Sequence, residues 1–360
     1  MGKIKRILSS IAILTVCILI GCTKVEKKED MALDLFDVFR GRDLAISYLI
    51  NVRKGDISKA NEICDKELLS KNVNLVEGVS NITSFQLYKT IASSDFAYYI
   101  FNVIRDSNIE PKSDLESCTI KVNRNGDNYI IGEIKAESQR ELYIKNNSLR
   151  IIGEKGGKSS LIISLNNIPK DTYLRANEIM LYKEKVPNSS FGKVVLGFTG
   201  EKVAISTLDE RNSFICIAYI DEALMQGGVD VVSQDTNSQG SSLNELQEIL
   251  EKPVTSKVVA VDLLNNSEIE DFIFSKEDDN LAVNYKNEGG INRLNIYKAG
   301  DGEKIDTKFE EVFNKEIYNI RAQYFDEHKI IFDVYKSDSS ADDVIGKYSL
   351  NLKTSEMIKL

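Results

Sequence analysis

The chain has 360 residues and a formal charge of −9, with 46 Lys and Arg against 55 Asp and Glu. Its 42% hydrophobic and 28% charged residues are the composition of a globular protein, not of a disordered or fibrous one. The acidic balance argues against nucleic acid as a partner, because binding a phosphate backbone rests on cationic neutralisation. The length exceeds what one typical core fills and predicts two domains.

Lys3, Lys5 and Arg6 make a positively charged start, and residues 7–20 are then apolar except for Ser9, Ser10 and Thr15. As a helix at ~1.5 Å per residue this run reaches about 21 Å, short of a ~30 Å hydrocarbon core. It fits the apolar region of a secretory signal better than a membrane span. It closes on Leu19-Ile20-Gly21-Cys22. These four residues resemble the lipobox of bacterial lipoproteins: Leu at −3, a branched residue at −2, Gly at −1, then Cys. The resemblance implies a signal peptide over 1–21, cleaved after Gly21, and a Cys22 sulfur that takes diacylglyceryl as a thioether. Two buried acyl chains of the palmitate kind anchor stably where one is marginal. The expectation is therefore a lipoprotein on the extracytoplasmic face of the cell membrane, its partner the bilayer through Cys22. Cys17 follows Val16, not a small residue, and leaves with the signal.

Residues 22–31 read as a tether, since "TKVEKKED" is polar and without apolar periodicity. Loss of Lys3, Lys5 and Arg6 takes the formal charge from −9 to −12. The abundance of Lys, Ile, Asn and Glu, with no Trp, points to an AT-rich genome of the clostridial, low-GC Gram-positive type. Beyond Cys22 only Cys64, Cys118 and Cys216 remain, with no CxxC. They read as three small buried hydrophobes, with one disulfide plus a free thiol as the alternative.

Residues 31–70 carry a helical pattern: Leu35, Val38, Phe39, Leu44, Ile46, Leu49 and Val52 recur at three- and four-residue steps. Gly41 predicts a break between a short helix and a longer one. Gly55-Asp56 ends the longer one, and Asp56 caps a second helix, "ISKANEICDKELLS". From about residue 80 the period becomes two, in "FQLYKTI", "FAYYIFNVI", "SCTIKVN", "NYIIGEIKAE" and "ELYIKN". Asn125-Gly126 marks a hairpin turn. Helices followed by this meander resemble the NTF2-like (cystatin-like) fold over about 32–150. The resemblance implies a curved antiparallel sheet around helices, with a pocket to which Tyr88, Tyr98 and Tyr99 are candidates. Residues 151–184 read as a connecting hairpin, turning at Gly156-Gly157, and a linker.

Residues 185–360 are strand-rich and hold three similar segments. "FTGEKVAIST", "FSKEDDNLAVNY" and "YFDEHKIIFDVY" each pass from an aromatic through an acidic turn to an apolar strand beginning at Val203, Leu281 and Ile330. A second strand follows each, and "KVVAVDLLNNSE" adds an outer one. The segments resemble TolB-type or PD40-type β-propeller blades. A closed propeller needs at least ~4 blades, so a partial propeller or an open sandwich is expected. The fold class is thus an α+β N-terminal domain followed by an all-β domain. The insertion at 226–253 is glycine-marked and polar, then carries Ser242 and Glu245 in capping-box spacing ahead of Pro253, which predicts a loop and a short helix.

No catalytic, metal or cofactor site is expected. His328, the lone histidine, sits on an acidic turn, and one His with scattered cysteines does not make a zinc site. "EDDN" at 277–280 and "SDSSADD" at 337–343 lack EF-hand spacing and read as solvated turns. Ser190 and Lys193 match S-x-x-K, and Ser242-Leu243-Asn244 and Lys298-Ala299-Gly300 follow. Ser190 enters a strand, however, and Ala299 stands where a hydroxyl is needed, so the match is a coincidence. "GEKGGK" at 153–158 has no strand-to-helix transition and is no phosphate loop. The resulting expectation is a non-catalytic binding module of the cell envelope, facing an envelope protein or a wall-associated ligand. The alternatives are a carrier or chaperone for an apolar ligand in the N-terminal domain, and a hydrolase working through two facing carboxylates.

Overall fold

A computed structural model describes residues 36–70, 80–153, 157–177, 180–226, 251–338, 340 and 342–360. Leu19, Ile20, Gly21 and Cys22, the tether, and the expected helix at 242–251 (apart from Glu251) lie outside the described residues. The protein is mostly β, with a curled first sheet that carries the helices.

Helix α1 (Val38–Arg53) is capped by Asp37, whose Oδ1 accepts from the Phe39 and Arg40 amides. Its buried residues, Gly41, Ala45, Tyr48, Leu49 and Val52, form one stripe. Gly41 does not break the helix as expected. It lies inside α1, where a Cβ would stand 2.5 Å from Tyr99 Oη and 2.6 Å from Phe36 Cζ. Glycine is needed there for close approach, not for a turn. Gly55 ends α1 at φ +74°, and Asp56 caps α2 (Ile57–Glu62), both as the sequence suggests. The expected second helix is split: Cys64 bridges to Ile131 of the sheet before α3 (Lys66–Ser70) begins.

Six antiparallel strands follow in meander order: β1 (Ser80–Ala92), β2 (Phe96–Ser107), β3 (Ser113–Asn125), β4 (Asn128–Lys145), β5 (Ser148–Ile152) and β6 (Ser160–Ser164). The segments "NYIIGEIKAE" and "ELYIKN" fuse into the single long β4. Bulges in β1 and along the β3–β4 ladder curl the sheet. The β3–β4 turn takes its positive φ at Gly126 alone, and Asn125 stays in the strand. Asn146 and Asn147 both take positive φ between β4 and β5, the pattern of a type I′ hairpin. The helices cover the inner face of β1–β4, where Tyr99, Phe101, Ile120 and Ile131 are fully buried.

This sheet continues past residue 150. Residues 151–164, expected as a connecting hairpin, complete β5 and supply β6, because Leu149, Ile151, Ile162 and Ile163 have a second core to enter. The hairpin β7 (Asp171–Asn177) and β8 (Met180–Lys185) then leads to three more antiparallel sheets. The first has β9 (Ser190–Leu196), β10 (Lys202–Leu208), β11 (Ser213–Ile220) and, after α4 (Glu222–Gln226), the outer β12 (Thr255–Leu264). The second has β13 (Glu268–Phe274), β14 (Asn280–Lys286) and β15 (Asn292–Lys298). After α5 (Phe309–Val312) the third has β16 (Asn319–Asp326), β17 (Lys329–Tyr335), β18 (Gly346–Asn351) and β19 (Met357–Lys359). Val203, Leu281 and Ile330 hold the same place, second in β10, β14 and β17.

The sheets are stacked, and the middle one is buried on both faces. Phe272, Phe274, Leu281 and Val283 enter the core shared with β9–β12 and the first sheet, while Ile273, Ala282, Leu294 and Ile296 enter the core shared with β16–β19. The "EDDN" turn is solvated at Glu277 and Asp279, as expected, but not at Asp278. Asp278, at φ +56°, is fully buried. Its Oδ1 accepts from the Phe198 amide at 2.8 Å and its Oδ2 from the Thr199 amide at 3.0 Å, and Oδ2 also takes the Thr199 hydroxyl. One carboxylate thereby ties the β9–β10 turn to the β13–β14 turn.

Two stability outcomes follow from these contacts. Gly41→Ala should lose about 1–3 kcal/mol in urea unfolding through overpacking against Tyr99 and Phe36. Asp278→Ala should lose about 3 kcal/mol by stranding its three donors, read in the same assay.

Candidate functional site

A cleft of about 690 Å³ opens where the end of α1 and the strands β1 and β2 meet the first strands of the other three sheets, β9, β13 and β16. Its charged lining is Arg53 from α1 and Lys54 just after it, Asp106 from β2, Lys193 from β9, Glu268, Glu270 and Asp271 from β13, and Arg321 from β16. Both halves of the chain contribute, so the cleft exists only in the assembled molecule.

Lys193, Asp106, Glu270, Asp271 and Arg321 are held in ion pairs, and Arg53 is held by Gln323. Lys193 Nζ donates to Asp106 Oδ2 at 2.8 Å, to the Ser107 carbonyl at 3.2 Å and to Asn108 Oδ1 at 2.9 Å, which uses all three ammonium protons. Asp106 is only 3% exposed, and burial raises its pKa against the opposing pull of Lys193. Arg321 donates to Asp271 and stands 3.8 Å from Glu270 Oε2. Burial disfavours its charge, yet Asp271 and Glu270 more than offset that and its pKa is raised. Lys286 reaches the other Glu270 oxygen at 3.3 Å. Arg53 crosses to the third sheet and grips Gln323 through its carbonyl and, at 2.9 Å, its side-chain Oε1. Burial lowers the Arg53 pKa. Beside this grip Phe85 stacks on Tyr324, with centroids 6.5 Å apart. The cleft thus offers hydrogen-bonding groups of both signs in fixed positions, with Ile82 and Ile269 between them.

The residues singled out from sequence do not meet here, apart from Lys193. Tyr99 is buried and donates to the Val38 carbonyl at 2.7 Å, Tyr98 lies on the opposite face of β2, and Tyr88 is 69% exposed. The three tyrosines therefore do not line one pocket, because adjacent strand residues point to opposite faces. Ser190 is exposed at the start of β9 and Lys298 pairs with Glu303 at 2.6 Å, while Ser242, Leu243 and Asn244 of the S-x-x-K match lie outside the described residues. His328 occupies the β16–β17 turn with Nε2 2.8 Å from Lys353 Nζ. Cys64, Cys118 and Cys216 are free buried thiols, and burial pushes their pKa values up to about 11, 12 and 12. Among the described residues no group of three His, Cys, Asp or Glu side chains is placed to hold a metal, and no helix is long and apolar enough to cross a membrane.

No family model matches the chain, and no curated protein matches it. Solved structures similar to it include a puromycin-hydrolysing peptidase of Mycobacterium tuberculosis, at 8% identity and a TM-score of 0.20. That match covers 77% of this chain and 53% of the peptidase, about half its length. Kluyveromyces lactis Hsv2 is similar at 10% identity over 76% of this chain and 73% of that one, with a TM-score of 0.27. Oligopeptidase B of Leishmania major is similar at 7% identity over 82% and 42%, also with a TM-score of 0.27.

Lys193→Met should cost about 3–5 kcal/mol of stability, because it strands the Asp106 charge. The deficit should shrink as pH falls, since protonation of Asp106 removes the uncompensated charge. Lys193→Met combined with Asp106→Asn should recover most of the loss in urea unfolding at pH 7.

Proposed function

We propose that this chain is a membrane-anchored extracytoplasmic lipoprotein acting as a non-catalytic binding module of the cell envelope, with the cleft as its binding element. The observation that carries the reading is the cleft itself: it is built by both halves of the chain, and Arg53, Asp106, Lys193, Glu270, Asp271 and Arg321 on its lining are fixed by hydrogen bonds or ion pairs. Small-ligand and peptide sites are concavities of this size with a few fixed polar groups. Asp106, Glu270 and Asp271 each face a basic partner, an arrangement suited to holding a polar ligand and not to a pair of carboxylates exchanging protons. In the first half of the chain the interior is filled by Tyr99, Phe101 and Leu49, which gives the apolar-carrier alternative no specific support.

The finer fold reading belongs with this proposal. The helices on the curled sheet are an NTF2-like module. The three later sheets are a partial propeller whose first strands, β9, β13 and β16, converge as blades do, with the first module standing where further blades would close the ring. The lipobox at Leu19–Cys22 supports the anchor, and the wall-side or envelope-protein ligand would be drawn from the same compartment.

Labelling cells with a fatty-acid analogue tests the anchor: Cys22→Ala should lose the label and release the body from membranes, and an undiminished label would refute the lipid attachment. A photo-reactive residue at Asn108, on the cleft rim, should crosslink a defined envelope component that Arg321→Glu abolishes, while the same residue at Lys353 captures nothing. Identical capture from both positions would remove the cleft from the reading.

A further inference from the structure

The outer face of the first sheet, opposite the helices, carries a patch that the cleft does not use. Cross-strand register sets it out in three rows. Ile91, Tyr98, Lys121 and Glu133 stand side by side across β1–β4. Phe96, Asn123 and Ile130 form the row nearer the β1–β2 turn. Lys89, Ile100, Thr119 and Lys135 form the row behind. Tyr99, one residue from Tyr98, is in the core, so these rows face away from the helices. The face stays open: Ile91 is 47% exposed, and Phe96, Tyr98, Ile100 and Ile130 are each partly exposed. Phe96 and Tyr98 meet edge to face at 5.5 Å, and Lys121 Nζ lies 4.5 Å from the first ring and 5.7 Å from the second. Of the acids, Glu133 is ion-paired with Lys135, and Asp95 at the turn accepts from the Ser94 hydroxyl.

The way the chain arrives identifies the occupant. The Phe36 amide donates to the Ser94 carbonyl at 3.1 Å, so the chain joins the body at the β1–β2 turn, between Ile91 and Phe96 in sequence. Cys22 lies 14 positions earlier. Fully extended, that stretch reaches at most about 50 Å. If Cys22 holds the lipid, as the functional reading requires, the chain from the bilayer reaches the body at this end of the sheet. Half-exposed aromatics with a lysine ammonium beside them are the chemistry of the membrane–water interface: the rings sit at headgroup level, and the ammonium is placed among them to meet lipid phosphates. We propose that Ile91, Phe96, Tyr98 and Lys121 form the surface on which the tethered body rests on the lipid headgroups. Asp106, at the other end of β2, is ten residues from Phe96, or about 33 Å along the strand. The patch and the cleft therefore lie at opposite ends of β2.

The chain holds no tryptophan, so one introduced indole reports alone. Full-length lipidated chain carrying Phe96→Trp, or Ile358→Trp on β19, would be reconstituted into vesicles of phosphatidylglycerol and dibrominated phosphatidylcholine. Co-sedimentation is scored first. The expected result is at least twofold quenching of the Phe96→Trp emission, none of the Ile358→Trp emission, and loss of quenching when Ile91→Asp and Tyr98→Asp are added while sedimentation persists. Sedimenting chain with equal quenching at both positions, or none at either, overturns the docking face and leaves the anchor standing. Chain that stays in the supernatant overturns the anchor and the docking face with it.

Discussion

The middle sheet of the second half must bury both of its faces, and that requirement organises the molecule. Phe272 and Phe274 point into one core and Ile273, between them, into another. A sheet exposed on either side would place such a run in water, so it needs a neighbour on each face. The sheet of β9–β12 supplies one neighbour and that of β16–β19 the other. The outer faces of those sheets raise the same problem, and on the β9–β12 side the extended first sheet answers it with Leu142, Leu149, Ile151 and Ile162. The two halves of the chain are therefore joined by a continuous core, and the first strands of all three later sheets are brought against β1 and β2.

What forms at that meeting line follows from the pattern of each first strand. β9 and β13 share one succession of exposed and buried residues along their length. Both end in apolar residues inside the core, and both carry a charged residue three positions earlier: Lys193 before Leu196 and Asp271 before Phe274. In β16 Arg321 stands four positions before Phe325. The apolar ends fix the strands, and the charged halves are left facing one another across the cleft. Taking such charges out of water is expensive unless each finds a partner. The pairs Lys193–Asp106 and Arg321–Asp271 meet that condition. Since one member of the first pair belongs to the helical module, the pairs also set the register between modules. Asp278 acts in the same way at the other end of the strands, with amides and a hydroxyl in place of a cation.

Much of this was legible in the residues and some was not. The change from a three-to-four to a two-residue period near residue 80, the Asp56 cap, and the matching places of Val203, Leu281 and Ile330 are local signals, and local signals survive folding. Gly41 misled because a glycine in a helical pattern has two uses, a turn or a close contact, and only Tyr99, distant in sequence, decides between them. Asp278 misled for the related reason that an acidic turn is solvated unless another turn covers it. The cleft was the least legible feature: its residues lie on seven elements, from Val52 on α1 to Arg321 on β16. The signal that existed was Lys193 interrupting "FGKVVLGF" and Glu270-Asp271 preceding "FIF", charges placed inside strands that were otherwise apolar.

The strand that builds the cleft also fixes its distance from the opposite end of the sheet. β2 carries Phe96 and Tyr98 near its start and Asp106 near its end, and its pairing with β1 and β3 runs the whole way between them. A twelve-residue strand in the middle of a ladder cannot shorten without breaking its hydrogen bonds, so the separation between the aromatic face and the cleft is a property of the sheet, not of a flexible linker. If Cys22 carries the proposed anchor, a face with a preference for headgroups would select one orientation among those an anchor alone allows. The proposed contact would leave the charged mouth about the length of β2 away from the aromatic rows. The −9 formal charge of the chain works in the same sense, because the acidic bulk of the body is repelled by anionic headgroups that the lysine-bearing face tolerates.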